Sequence, residues 1–462
     1  MSKPTVEETL GRVFAPRSIA VLGASHTKGK LGHSVIALLK QNGYEGRIIP
    51  VNPKGGTIVG LDCARSMSDI VDTVDVALLV VPAESSLEAM RECAAAKVGS
   101  VVAITSGFAE SGDEAGQSNE AALRDFLKTA PYRMIGPNCE GVVSTQSKLQ
   151  MTFSPMFNDM RPGGLALISQ SGALSGMMAN RLTRRGIGFR AVVTTGNEVD
   201  ITATDLLDWF ANDTEVKVIL AYLEQVRDPR RFVEVARRLR SIGKSLVILK
   251  GGRSQAGGEA AASHTGALAG DDKVVTGVFR ELGIVRVRDS AAAVDAVSAL
   301  SMGKRLSGPR IAVVSIAGGF GVEMTDLAQT SGFDVPALSG TAQTRLRSLL
   351  PFYGATRNPV DLTGTAVTKS SIMRDAIDVV LSEDNIDALV VIVTFSHDPA
   401  FAEAIIHAHR SSDKPVLVCW TGGMDQNPGA TALLRDEGIP TFDAPARILT
   451  ALEALRNEGL VA

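Results

Sequence analysis

Apolar runs of about five residues recur along the whole chain, and most end in small or turn-forming residues that open a helix-like stretch. They fall at residues 18–22, 47–51, 76–81, 100–104 and 133–135 in the first third. The middle third has 165–168, 189–194, 216–222, 245–249 and 284–287. The last third has 310–315, 388–393, 415–419 and 440–442. Strands without polar alternation, each followed by a helix, predict parallel sheets covered on both faces, the doubly wound α/β class. Aromatic residues make up 5% of a chain that is 45% hydrophobic, so the cores are built from Val, Ile, Leu and Ala. At about 150 residues per domain, 462 residues predict three domains. The polar stretch 146–162 and the segment 302–309 are the expected linkers, which places the domains at 1–147, 148–305 and 306–462.

Charge and composition exclude several classes of function. A net charge of −3 provides no general attraction for nucleic acid or an anionic membrane. Neither a signal-peptide core nor an apolar run of about 18 residues is present. Cys63, Cys93, Cys139 and Cys419 have no metal-site or CxxC spacing and read as reduced thiols of a cytoplasmic protein.

In doubly wound sheets, ligands bind beyond the carboxyl ends of the strands. The first strand ends in Gly23-Ala24-Ser25, with Gly32 opening the next helix, a turn suited to an anion at a helix N-terminus. The second ends in Asn52-Pro53-Lys54, a cation with no acidic residue to grip a ribose, which argues against NAD. The third ends in Val81-Pro82-Ala83, the fourth in Thr105-Ser106-Gly107-Phe108, and the fifth in Gly136-Pro137-Asn138-Cys139-Glu140-Gly141. In order and spacing, these turns resemble the CoA-binding domain of the succinyl-CoA synthetase superfamily, in its NDP-forming acyl-CoA synthetase branch. The resemblance implies an N-terminal Rossmann-like CoA-binding domain. It assigns CoA contacts to Gly23, Ser25, Gly32, Lys54, Val81, Pro82, Ser106, Gly107 and Asn138. Glu140 departs from the apolar residue or Pro common after GPNC in this family. Turned inward it would alter the acyl pocket; the outward orientation is the expectation.

The middle third repeats the pattern. Ser169-Gln170-Ser171-Gly172-Ala173-Leu174-Ser175 joins a strand to a helix and lacks the first glycine of a GxSxG nucleophile elbow. It reads as a phosphate cradle, with Ser171 and Gly172 as the binding positions. The stretch 251–270, GGRSQAGGEAAASHTGALAG, has six glycines, six alanines and one histidine. It has no large side chain with which to bury itself, so it reads as a loop of high conformational freedom. Ser263-His264-Thr265-Gly266 resembles the phosphohistidine motif of the same superfamily, and Tyr222-Leu223-Glu224 resembles the strand end that supplies its acidic partner. The resemblance makes His264 the phosphoryl carrier and Glu224 the carboxylate that orients it. It implies hinges at Gly251-Gly252 and Gly257-Gly258, with Gly266 and Gly270 on the far side. Arg253 is either a phosphate clamp or solvent-facing.

In the last third, Ile316-Ala317-Gly318-Gly319-Phe320-Gly321 echoes the earlier turns and suggests another anion site at Gly318 and Gly319. With Asn358-Pro359-Val360-Asp361-Leu362-Thr363-Gly364 it resembles the carboxyl-terminal flavodoxin-like domain of these synthetases. A second phosphate-facing helix is expected after 388–393, near His397, which reads as a cap or an exposed residue. His407 and His409 read as surface residues, and no metal site is expected. Neither an ATP-grasp domain nor a Walker motif is recognised. The resemblance therefore implies an α subunit that interconverts acyl-CoA, phosphate and ADP with carboxylic acid, CoA and ATP. Mg²⁺ and nucleotide would sit on a separate ATP-grasp β subunit in an α2β2 assembly, and the substrate would be a small carboxylic acid or its thioester. A non-catalytic CoA-sensing protein on the same scaffold is the rival, and the retained His264 and Glu224 disfavour it.

Overall fold

The computed structural model describes residues 3–259, 271–394, 396, 398–422 and 428–459. The chain divides into two compact units, one of residues 1–183 and 188–290, the other of 184–187 and 291–462.

The first unit holds two large sheets. One is built from β1 (Ser18–Leu22), β2 (Arg47–Val51), β5 (Val76–Leu79), β6 (Ser100–Ala103) and β7 (Met134–Ile135), with a small hairpin of β3 (Thr57–Ile58) and β4 (Leu61–Asp62) to one side. The order is β2-β1-β5-β6-β7 and all pairs are parallel. Every residue of β1, β5 and β6 is buried, as sheets covered on both faces require. The helix Leu31–Gln41 that follows β1 buries Val35, Ile36, Leu38 and Leu39, the spacing of a single helical face.

The other sheet joins β8 (Gly141–Ser144), β9 (Leu149–Thr152), β10 (Pro162–Ser169), β11 (Phe189–Thr194), β12 (Val218–Leu223), β13 (Ser245–Lys250) and β14 (Val285–Val287). Its order is β14-β13-β12-β10-β11-β8-β9. The stretch 146–162, expected to be a plain linker, instead contains β9. The β8–β9 hairpin pairs antiparallel onto β11, and the 147/148 division falls in its turn. One apolar core runs through both sheets, with Val21, Ile36 and Leu39 joined to Val142, Met151, Ile168 and Val193.

The second unit contains β15 (Ile311–Ser315), β16 (Val360–Asp361), β17 (Ala388–Val393), β18 (Val416–Trp420) and β19 (Thr441–Phe442), in the order β16-β15-β17-β18-β19. It has its own core around Val314, Val391, Phe401 and Trp420.

The three sheets share one rule. In each, the first strand of the parallel set pairs with the second on one side and the third on the other. The connections leave that central strand in opposite directions, and a crevice opens at its carboxyl end. The turns at Gly23, Ser171 and Gly318 all follow such central strands. The α/β doubly wound expectation therefore holds in all three sheets.

Candidate active site

At the first crevice, sterics hold the turn. Gly23 has φ +90°, and a Cβ on it would meet Val80 O at 2.5 Å. A Cβ on Gly32 would lie 2.1 Å from Gly23 O, so the helix Leu31–Gln41 approaches the strand end only because Gly32 has no side chain. Both clashes are with backbone and cannot be relieved by a rotamer. Gly32→Ala is expected to destabilise the first unit by about 3 kcal/mol, read as a lowered urea midpoint.

The other turns of this sheet interlock. Thr105 Oγ1 donates to Val81 O (2.7 Å), and Asn138 N–H donates to Thr105 O (2.8 Å). Gly107, at φ +99°, and Phe108 both donate their N–H groups to Glu110 Oε1 (2.7 and 3.2 Å). Gly23, Val81, Gly107 and Asn138 thus belong to one linked edge, and Pro82 and Ser106 are exposed beside it. Ser25 Oγ accepts from Thr27 N–H (3.1 Å). Lys54 is exposed. Its turn is tied to the first one by Asn52 Nδ2 donating to Ala24 O (2.7 Å) and His26 Nε2 donating to Gly55 O (3.0 Å). Neither Asn52 nor His26 was singled out in the sequence; a polar residue at a strand end was the available signal. Cys139 is buried, and burial pushes its thiol up to about 12, so it is a packing residue and not a nucleophile.

The second crevice lies between β10 and β12. Ser169 Oγ donates to Ser171 O (2.6 Å) and accepts from Ser171 N–H (3.1 Å), folding the strand end into the helix Gly172–Arg184. The Ser171 N–H is therefore already engaged, and the first-turn N–H groups from Gly172 onward are the better anion donors. The second unit repeats the device: Ser315 Oγ donates to Ala317 O (2.7 Å) and accepts from Ala317 N–H (3.0 Å) ahead of Gly318. There a Cβ on Gly318 would meet Asp361 Oδ2 at 2.7 Å, while Gly319 is open. Asp361 Oδ1 accepts from Thr363 N–H (2.9 Å), so that carboxylate braces its own turn. The helix Pro399–Ser411 is capped by Asp398, which accepts from Ala400 N–H (2.9 Å). Asp398 thus caps the helix near which a second phosphate contact was expected.

Glu224 stands at the carboxyl end of β12, nine-tenths buried. Gln170 Oε1 accepts from the N–H groups of Glu224 (2.6 Å) and Gln225 (3.0 Å), clamping it to the Ser171 turn. Lys250 Nζ donates to Glu224 O and Gly251 O (both 2.6 Å). Tyr222 Oη donates to Glu224 Oε1 (3.1 Å). Burial raises the tyrosine hydroxyl above its ordinary range, so it remains a donor. A Cβ on Gly251 would lie 3.0 Å from Tyr222 Oη, so this glycine makes room for the pair. A cavity of about 530 Å³ flanks Glu224, walled by Phe232, Val275, Val278 and Phe279 and reached by Arg227 and Lys250. Gln170, Tyr222 and Lys250 hold Glu224 in place, and the sequence reading assigned none of them a role. Tyr222 had a usable signal, because residues two apart on a strand share a face.

His264, with Ser263, Thr265, Gly266 and Gly270, lies outside the described residues, as does His397. Arg253 is exposed. Glu140 corrects an expectation. It points inward against the start of the Gly172–Arg184 helix, where a Cβ on Gly172 would meet its Cγ at 2.5 Å and its Cδ at 2.9 Å. It can do so because Gly172 leaves the space open.

Among the described residues, no helix is long and apolar enough to cross a membrane, and no group of three or more His, Cys, Asp or Glu could hold a metal ion. Residues 17–145 match a CoA binding domain, 162–300 a succinyl-CoA ligase like flavodoxin domain, and 311–455 a ligase-CoA domain. The chain is 39% identical over 459 residues to the alpha subunit of ADP-forming acetate–CoA ligase I of Pyrococcus furiosus, covering 97% of each chain. It is 34% identical over 451 residues to an ADP-forming acetate–CoA ligase of Methanocaldococcus jannaschii, covering 96% of this chain and 63% of that one. Its structure superposes with a TM-score of 0.88 on the dinucleotide-forming acetyl-coenzyme A synthetase 1 of Ca. Korarchaeum cryptofilum, solved with phosphate and ADP. That match has 32% identity and covers 98% of this chain and 97% of the other. These relatives are named as ligases or synthetases, and nothing supports the non-catalytic sensor. The chain belongs to the ADP-forming acyl-CoA ligases, enzymes of the succinyl-CoA ligase superfamily, as a chain of the α-subunit type.

Proposed function

We propose that this chain binds CoA and phosphate and carries a phosphoryl group on His264 between an acyl phosphate and ADP. The observation that carries the proposal is the clamped Glu224. It is fixed by Tyr222, Gln170 and Lys250 beside the Ser171–Gly172 turn, next to the start of the stretch 251–270 that contains His264. CoA lies along the first crevice, against Gly23, Ser25, Gly32, Lys54, Val81, Pro82, Ser106, Gly107 and Asn138. Phosphate sits at the first turn of the Gly172–Arg184 helix, and Gly318 and Gly319 open a related site in the second unit.

Three transfers follow. A phosphate oxygen attacks the thioester carbon, the C–S bond breaks, and CoA leaves as thiolate, giving acyl phosphate. An imidazole nitrogen of His264 then attacks phosphorus, and the P–O bond to the acyl group breaks to release the carboxylate. ADP finally takes the phosphoryl group from the histidine. Helix N–H groups from Gly172 offset charge on the phosphoryl oxygens. Glu224 accepts from the second ring nitrogen, fixes the tautomer and stabilises the positive ring. ADP and its Mg²⁺ belong to a separate ATP-grasp subunit, in an α2β2 assembly. The single-chain relative, of which this chain spans 63%, supports a division of labour between this part and another. The four free cysteines, three of them buried, suit a reducing cytoplasm.

The test is mass spectrometry of the purified chain after incubation with an acyl phosphate, or with acyl-CoA and phosphate. A phosphoryl group on the peptide bearing His264 is the expected result. Its absence with a panel of acyl groups, while CoA still binds, rejects the proposal. Tyr222→Phe is expected to slow histidine phosphorylation roughly tenfold, the contribution of one hydrogen bond to a charged group. CoA affinity should not move, because Tyr222 lies at the other crevice; an equal fall in both would mark a purely structural role.

A further inference from the structure

The turn after β11, Thr195-Gly196-Asn197-Glu198, has no part in the three transfers, yet it contacts the turns of both crevices. It packs directly on the Asn138 turn. A Cβ on Gly196 would lie 2.0 Å from Pro137 O and 2.3 Å from Asn138 O, and Asn197 N–H donates to Pro137 O (3.0 Å). The Asn197 side chain then directs its amide toward the first crevice. Nδ2 donates to Glu110 Oε2 (2.6 Å) and to Glu120 Oε2 (2.8 Å), and Oδ1 accepts from Asn138 Nδ2 (3.2 Å). Both carboxylates are engaged at their other oxygen as well. Glu110 Oε1 accepts from the N–H groups of Gly107 and Phe108. Glu120 Oε1 accepts from Arg124 Nε (3.1 Å) and Nη2 (2.7 Å). Asn138 itself is held at φ +57°, a left-handed conformation that a residue other than glycine keeps only where its surroundings fix it. One side chain therefore joins the Gly107 turn, the Asn138 turn and the helix Glu114–Thr129.

The same turn reaches the second crevice through other atoms. Asn197 O accepts from Arg227 Nη2 (2.6 Å). Glu198 Oε1 accepts from Thr195 Oγ1 (2.9 Å) and from Ala203 N–H (3.0 Å). The Glu198 carboxyl also hydrogen-bonds the side chain of Gln170, the residue that clamps Glu224. The backbone of residue 197 and the side chain of residue 198 thus serve the Glu224 side, and the side chain of residue 197 serves the other. We propose that Asn197 is a positioning residue for CoA, acting through Glu110 and Asn138 to hold the Gly107 and Asn138 turns in the form that CoA binds. This role rests on the proposed placement of CoA against those turns. Its physical basis is polarity. Two carboxylates that meet at one amide nitrogen repel each other unless a donor stands between them. Without that donor Glu110 turns toward water and frees the N–H groups of Gly107 and Phe108. The turns must then be ordered when CoA binds, and the cost appears in the affinity.

The test uses the full chain and reads two properties, the CoA dissociation constant by titration calorimetry and the rate of His264 phosphorylation from acyl phosphate, a step that needs no CoA. Asn197→Asp puts a third carboxylate where the shared donor stood. Its CoA dissociation constant is expected to rise at least about tenfold, while histidine phosphorylation stays within about threefold of wild type. Glu110→Gln with Glu120→Gln sets amide donors against the Asn197 amide and is expected to weaken CoA to a similar degree. Combining all three substitutions reverses every donor and acceptor, so that two glutamine N–H groups donate to one carboxylate. This triple variant is expected to recover CoA affinity to within about threefold of wild type. Unchanged CoA affinity in Asn197→Asp overturns the proposal. So does an equal fall in CoA affinity and in histidine phosphorylation, or a triple variant as weak as Asn197→Asp, because each marks a side chain that only supports the fold. If the wild-type chain binds no CoA, the proposed function falls with it.

Discussion

The His264→Ala chain is expected to accept no phosphoryl group from acyl phosphate or from acyl-CoA and phosphate, a loss of at least about 10⁴-fold. Alanine removes the nucleophile and leaves the electrostatics of the Gly172 turn in place. That turn can hold phosphate but has no group able to form the P–N bond. Ser171 is no substitute, because in this variant the histidine that would activate its hydroxyl is gone. The proposed CoA contacts do not include His264, so CoA should bind with wild-type affinity. Radiolabelled phosphate incorporation and a CoA titration separate the two properties. Labelling retained in His264→Ala would place the carrier elsewhere and end the mechanism.

Glu224→Gln is expected to slow histidine phosphorylation by roughly 10³-fold while leaving the fold intact. Glutamine can keep its carbonyl toward Tyr222 Oη, which donates to Glu224 Oε1 (3.1 Å). The Gln170 and Lys250 clamps bind backbone atoms of residue 224 and are indifferent to its side chain. The change falls on the other position. There the amide N–H₂ would face a ring N–H, donor against donor, and no negative charge would offset the imidazolium. The ring then loses its fixed tautomer, and the positive charge that develops during transfer loses its partner. A urea midpoint close to wild type, beside a collapsed rate of phosphohistidine formation, is the expected pair of results. A loss of less than tenfold would make Glu224 a structural residue and move the partner role elsewhere.

The two variants differ in what a failure would mean. In the proposed relay His264 carries the covalent bond, so its removal tests whether the relay exists. In the same proposal Glu224 serves the ring and not the phosphorus, so its removal tests how the relay is tuned. Tyr222→Phe goes one contact further out, and its smaller expected effect follows from that distance.

The central strands were legible because their signal is local. Residues 18–22 and 311–315 are mostly apolar runs that lead into small residues at Gly23 and Ala317-Gly318, and β1 and β15 are buried throughout. The turns that follow were legible for the same reason: Gly23, Gly172 and Gly318 stand where a chain leaving a central strand must make room for a helix. The β8–β9 hairpin was not. Gly141–Ser144 and Leu149–Thr152 are four residues each; they pair with one another, and Gly141–Ser144 joins the sheet by pairing with β11, 47 to 51 residues on. A short strand has no pattern strong enough to declare itself without its partner.

The candidate site divides along the same line. Three doubly wound sheets, the strand-end turns and the motifs whose resemblance pointed to the ligase family were legible from the residues alone. Those follow from residue type and order, which set backbone preferences and chemistry over a few neighbouring positions. The direction of Glu140, the Gln170 clamp, and the space that Gly251 leaves for Tyr222 and Glu224 emerge only in the folded chain. Each of these depends on two segments meeting at the end of a sheet, from 27 to 54 residues apart along the chain. Contacts of that kind are set by the registers of parallel strands and by the volume between them, which no single segment carries alone.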